Sequence, residues 1–148
     1  MSDPIHVVCP ACHTTNRVLR ERLGAGASCG SCKQALLDGH AYALDAASLD
    51  RHVAANDLPL IVDFWAAWCG PCRAIAPIFA RAAAELEPRA RFIKVDVDAN
   101  PQVSARYGIQ SIPALFCFVG GKVAARQAGL SDPGLFRAWV EQFAPARA

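Results

Sequence analysis

Seven cysteines stand in this chain of 148 residues. Six form three C-x-x-C pairs, Cys9/Cys12, Cys29/Cys32 and Cys69/Cys72, and Cys117 stands alone. Two residues between paired thiols let both sulfurs turn toward one point. Such a pair can ligate a soft metal ion, or it can pass electrons by opening and closing a disulfide. Cys9-Pro-Ala-Cys12 and Cys29-Gly-Ser-Cys32 are sixteen residues apart, within the C-x2-C-x15–20-C-x2-C pattern of a zinc site. Four thiolates complete a tetrahedral shell and leave no open position, so one structural zinc ion is expected on Cys9, Cys12, Cys29 and Cys32. Two independent redox pairs, or free thiols, are the alternative. His6 and His13 flank the first pair; either could replace a sulfur, but with four cysteines available they read as exposed bystanders.

The third pair has a different setting. Trp68-Cys69-Gly70-Pro71-Cys72 follows an apolar, strand-like run, Leu60–Trp65. It precedes a helical pattern in which Ile75, Ile78, Phe79, Ala82, Ala83 and Leu86 recur three and four residues apart. Both thiols thus fall where a helix begins, and the unpaired N–H groups and positive dipole end there favour a thiolate. Cys69 is the expected nucleophile, reachable from solvent. Cys72, one helical turn on and more deeply placed, would attack the mixed disulfide that Cys69 forms and release the reduced partner. Pro71 presets a helical φ and lacks an N–H that would go unpaired. A third metal half-site is the rival reading, but no further C-x-x-C remains to complete it.

Asp63 lies inside the apolar strand. Burial disfavours its charged form, so its pKa should rise, and it could exchange a proton with Cys72 during that attack. The alternative is an edge carboxylate paired with surface charge. Lys94, on the next strand, is its expected ion-pair partner; an ordinary solvated lysine is the alternative. Cys117, on an alternating apolar strand, reads as a small buried hydrophobe.

The elements that would position these groups follow in order. Residues 1–40 hold four cysteines, little helical periodicity and Gly24-Ala25-Gly26-Ala27, and are too short to bury much core without a staple. The turn Leu37-Asp38-Gly39-His40 marks the boundary. Residues 41–44 alternate like a short strand, and Asp45 can cap a helix carrying Leu49 and Val53. Residues 91–97 form another alternating strand. Asn100-Pro101 opens a short helix that stops at Gly108. Residues 114–119, the Gly120-Gly121 turn and residues 122–127 read as a hairpin. Asp132-Pro133 opens a last helix with Leu135, Phe136, Trp139, Val140 and Phe143 as its stripe. Residues 144–148 read as frayed. The order β-α-β-α-β-α-β-β-α implies an α/β fold, a mixed sheet with helices on both faces.

Over half the residues are apolar and the net charge is +2, which argues against nucleic acid or an anionic membrane as the main partner. No stretch approaches the roughly 18 apolar residues of a membrane span. The first residues do not resemble a secretory signal. A soluble, cytoplasmic, reducing setting is expected, where paired cysteines are metal ligands or redox catalysts more often than structural disulfides.

Val62-Asp63-Phe64-Trp65-Ala66-Ala67-Trp68-Cys69-Gly70-Pro71-Cys72 resembles the active-site motif of thioredoxins. The resemblance continues through Pro77, Lys94, Ile112-Pro113 and Gly129 and covers about residues 41–143. The double C-x-x-C segment is similar to the module that precedes the thioredoxin domain in the zinc-binding second thioredoxin of bacteria. The resemblance implies a thioredoxin fold, a five-stranded mixed sheet flanked by four helices, over residues 41–148, preceded by a zinc-ribbon-like module over residues 1–40. It supports the proton role of Asp63. It implies a cis Pro113 whose neighbour Ile112 offers backbone groups to an extended substrate. It also implies a flat rim of Trp68, Gly70, Pro71, Ile112, Pro113 and Gly129. Trp65 would pack beneath the loop. The expected activity is reduction of protein disulfides by a monomer with no bound organic cofactor, re-reduced by an NADPH-dependent flavoprotein reductase. Two departures are Ala114, where Thr is common, and Cys117, where an aliphatic residue is usual. The rival readings are a zinc-stabilised binding or chaperone module and a disulfide oxidase or isomerase. The intact Cys69/Cys72 pair argues against the first, and Pro71 between the thiols against the second.

Overall fold

The computed structural model describes residues 3–144; the expectations for Met1, Ser2 and residues 145–148 lie outside the described residues. Two strands open the chain, β1 (Pro4–Val8) and β2 (Thr15–Leu19), paired antiparallel, with a single 3-10 turn at Arg20–Arg22. There follow β3 (Tyr42–Ala43), α1 (Ala46–Ala55), β4 (Leu60–Trp65), α2 (Gly70–Leu86), β5 (Arg91–Asp96), α3 (Gln102–Tyr107), β6 (Ala114–Val119), β7 (Lys122–Ala128) and α4 (Pro133–Glu141).

The five later strands form one sheet in the order β3-β5-β4-β6-β7. β5 runs parallel to β3 and β4; β6 is antiparallel to β4 and to β7. This is the expected mixed sheet. β4 is central and buried on both faces, which is why it reads as a continuous apolar run. Its side chains alternate between two cores. Ile61 joins Ile75, Phe79, Phe136 and Val140 under α2 and α4, whereas Val62 and Phe64 join Leu49 and Val103 under α1 and α3.

Local signals behave as their chemistry requires. Asp45 accepts from Ser48 N and caps α1, and Asp132 accepts from Leu135 N and caps α4. Gly108 ends α3 at φ 63°. Gly120 and Gly121 take φ 61° and 83°, the left-handed pair that a two-residue hairpin turn needs. Asn100 departs from expectation. Its side chain does not cap α3; Oδ1 accepts from Ala46 N and Nδ2 donates to Asp96 O, tying the end of β5 to the start of α1. Leu135 stands exposed, outside the α4 stripe, while Ala144, expected to fray, is buried against the α2/α4 core.

Candidate active site and metal centre

The path from β4 to α2 crosses Ala66, Ala67 and Trp68 and reaches Cys69 at the N-cap of α2. Cys69 Sγ accepts from Cys72 N at 3.1 Å, so the helix-start amide that should stabilise a thiolate is aimed at this sulfur. Cys69 and Cys72 are joined as a disulfide. Their exposures, 3% and 4%, are nearly equal, so the expected contrast in accessibility is absent from the oxidised form. Position still separates them: Cys69 lies outside the helix, and Cys72 sits within its first turn. Cys117 is fully buried, as its pattern implied, and burial pushes its thiol up to about 12.

Of the expected rim, Trp68, Gly70 and Pro71 are exposed, and Ile112, Pro113 and Gly129 are half-buried. The Ile112–Pro113 bond is cis. Gly129 N donates to Pro113 O at 3.2 Å. A Cβ on Gly129 would stand 2.4 Å from Pro113 Cγ and 2.8 Å from Ile75 Cδ1, so close packing dictates a glycine here. Trp68 Nε1 donates to Asp98 Oδ2 at 2.8 Å, a tether that sequence reasoning missed because it links two loops.

Asp63 is fully buried, and neither carboxylate oxygen has a hydrogen-bond partner among the described residues. Burial pushes its pKa up to about 6, while the charge of Lys94 pulls the other way. Asp63 and Lys94 face each other in register on β4 and β5. The expected ion pair is not among the salt bridges of the described residues. The Lys94 ammonium lies instead over the Trp65 ring, 4.9 Å from its centroid. Trp65 therefore does more than pack.

The four N-terminal cysteines converge, with all their sulfurs within 4.8 Å of one another. Cys9 and Cys32 lie 3.6 Å apart, as do Cys12 and Cys29. Tetrahedral thiolates at Zn–S of about 2.3 Å stand roughly 3.8 Å apart, so the quartet fits such an ion. The two half-sites are built alike. His13 N donates to Cys9 O and Lys33 N to Cys29 O, and His13 and Lys33 both take left-handed φ, 64° and 70°. Backbone N–H groups of Ala11 and Ser31 point at Cys9 Sγ and Cys29 Sγ. Backbone amides, that of Cys32 foremost, together with the Asn16 amide draw the Cys29 thiol down to about 6, a donor set suited to thiolate.

The family model described as Thioredoxin matches residues 40–142. The chain belongs to the thioredoxin family. A second model, Thioredoxin 2, N-terminal, matches residues 8–34. Thioredoxin C-3 of Corynebacterium nephridii is 37% identical over 92% of this chain and 93% of its own length. Thioredoxin 1 of Nostoc sp. is 49% identical over a shorter stretch, 49% of this chain and 67% of its own. Among solved structures, a mutant thioredoxin from Halobacterium salinarum superposes with a TM-score of 0.66 at 27% identity, covering 74% of this chain and 96% of that one.

How the cysteine module meets the thioredoxin domain was not legible beforehand. Arg91, the first residue of β5, is fully buried and donates to Val8 O at 3.1 Å and Leu36 O at 2.7 Å, one anchor on each side of the quartet. Glu87, nearly as buried, lies 3.9 Å from Arg91 and accepts from Gly39 N at 2.8 Å. Asn56 and Asp57 satisfy the free edge of β1, accepting from Val8 N and His6 N. His13 stands outside the sulfur quartet, as expected, but is half-buried rather than exposed. It lies 3.2 Å from Ser48 Oγ and 3.4 Å from the ring of His52, which is fully buried and which desolvation pushes down to about 3, keeping it neutral. No helix among the described residues is long and apolar enough to cross a membrane.

Proposed function

We propose that this thioredoxin-family chain reduces protein disulfides with Cys69 as nucleophile and Cys72 as resolving thiol. The observation that carries this reading is the Cys69–Cys72 disulfide at the mouth of α2, with Cys69 as the N-cap. In the reduced enzyme the Cys69 thiolate attacks one sulfur of a substrate disulfide, and the other sulfur leaves as a thiolate that takes a proton from solvent. The Asp63 carboxylate then accepts the Cys72 proton, directly or through water. The Cys72 thiolate attacks Cys69 Sγ, the second substrate sulfur leaves, and two electrons have passed from the enzyme dithiol to the substrate. Trp68, Gly70, Pro71, Ile112, Pro113 and Gly129 receive the substrate, with the backbone of Ile112 pairing to an extended segment. Lys94 moderates the proton affinity of Asp63.

Cys9, Cys12, Cys29 and Cys32 hold one zinc ion, which when bound cross-links the module and leaves the exchange chemistry to the third pair. The module spans residues 1–40 and the thioredoxin domain residues 41–148. The chain acts as a cytoplasmic monomer and is re-reduced by an NADPH-dependent flavoprotein reductase.

The test is an insulin-disulfide reduction assay. Cys69→Ser abolishes turnover, and Cys72→Ser accumulates a covalent mixed disulfide through Cys69. Retained turnover in Cys69→Ser would overturn the assignment.

A further inference from the structure

Trp65 is the side chain near the redox pair that the exchange steps leave without a task. It shares a face of β4 with Asp63, two residues nearer the active loop, and its ring carries the Lys94 ammonium at 4.9 Å. Trp65 Nε1 is buried without a hydrogen-bond partner, so no polar tether accounts for the indole. Both Asp63 oxygens are likewise unpartnered, although Lys94 stands beside Asp63 in register. A lysine placed between a buried carboxylate and an aromatic face has two seats for its ammonium. The carboxylate seat requires two charges to leave water together, a cost that can exceed their attraction. The ring seat attracts the cation through its quadrupole and lets a half-buried lysine keep part of its hydration.

We propose that Trp65 is a positioning residue: its indole face holds the Lys94 ammonium away from Asp63 and so keeps Asp63 basic enough to take the Cys72 proton. This rests on the reading of Asp63 as that base. A bare buried carboxylate binds a proton more tightly than one paired with a lysine. The groups around Asp63 are few. Lys94 on β5 is the charge that acts on it. Asp96, farther along β5, accepts from the amides of Asp98 and Ala99. At the start of α2 there are Cys69, its N-cap, Cys72 and the exposed Arg73. The register partner on β6, Leu115, carries no charge.

The experiment follows the Asp63 carboxyl by carbon-13 NMR across pH in the oxidised protein. It compares the native chain with Trp65→Leu and Trp65→Phe, each with Lys94 present and in a Lys94→Met background. Trp65→Leu lowers the Asp63 midpoint by about one pH unit, as an opposite charge moves in, and Trp65→Phe, which keeps a ring face, retains most of the native value. In the Lys94→Met background Trp65→Leu shifts nothing. An unchanged midpoint in Trp65→Leu would overturn the proposal. So would an equal shift without Lys94, since that would mark water entry. Lys94→Met alone gives a second readout free of any packing change at Trp65: a small rise in midpoint supports the proposal, and a rise above one unit, the signature of a lost ion pair, contradicts it. The base role is tested separately by the acid limb of the activity profile in Asp63→Asn. Failure there would leave the titration result standing.

Discussion

The Asp63 carboxyl holds its proton more tightly in the folded chain than in the unfolded one. Its folded pKa is about 6, against an ordinary 3.8, with burial as the cause. Between those values the unfolded chain has released the proton and the folded chain has kept it. Stability therefore falls as pH rises from about 4 to about 6, and the loss persists above. A shift of this size corresponds to on the order of 3 kcal/mol. Asp63→Asn should raise the urea midpoint at pH 7.5 and leave it nearly unchanged near pH 4, while slowing release of the mixed disulfide. An equal gain at both pH values would refute the titration as the cause. Gly129 makes a steric prediction. A methyl group there meets the Pro113 ring at 2.4 Å and Ile75 at 2.8 Å, and overpacking of this kind costs about 1–3 kcal/mol. If Pro113 frames the substrate slot as proposed, Gly129→Ala should lower kcat/KM for insulin roughly tenfold, with the Cys69 thiol still alkylated at its native rate.

At the scale of elements, β5 links the two halves of the molecule. Its first residue, Arg91, grips the module at Val8 and Leu36, and its last, Asp96, lies beside Trp65 at the catalytic end. Six strand residues put roughly 17 Å between those ends. Arg91→Met removes the donors to two buried carbonyls, at a cost of about 1–3 kcal/mol for each group left unsatisfied. Zinc extraction by a chelator should accelerate and amide exchange at Val8 and Leu36 should quicken, with insulin reduction close to native. Slow, native-like zinc release would contradict the anchoring role. Arg91 also shows where reading the sequence stops. Its strand was legible from alternation, as were the caps at Asp45 and Asp132 and the Gly-Gly hairpin, because each depends on residues close in the chain. The burial of Arg91, the contact of His13 with His52 and the turning of Asn100 toward α1 depend on how distant elements dock. The motif brought Asp63 and Lys94 to adjacent strands correctly. It did not show that the Lys94 ammonium lies over the Trp65 ring rather than on Asp63, because that depends on how the side chains pack between the strands.

The whole molecule divides its sulfurs. The N-terminal segment has only a small core, Ile5, Val7, Val18, Leu23 and Leu36 beside the cysteines, completed by Leu58 of the thioredoxin domain, too little to hold it without a cross-link. The thioredoxin domain has two large cores, one on each face of its sheet. Metal at one place and electron exchange at the other follow from that arrangement, with Cys117 sealed in the sheet. The most direct measurement counts accessible thiols and bound zinc on the same denatured and native samples, before and after one cycle of reduction by dithiothreitol and reoxidation by insulin. Two thiols per chain should be gained and lost, mapped to Cys69 and Cys72, with one zinc per chain retained throughout. Zinc leaving as that pair oxidises, or turnover of the N-terminal quartet while Cys69 and Cys72 stay fixed, would contradict this division of the sulfurs.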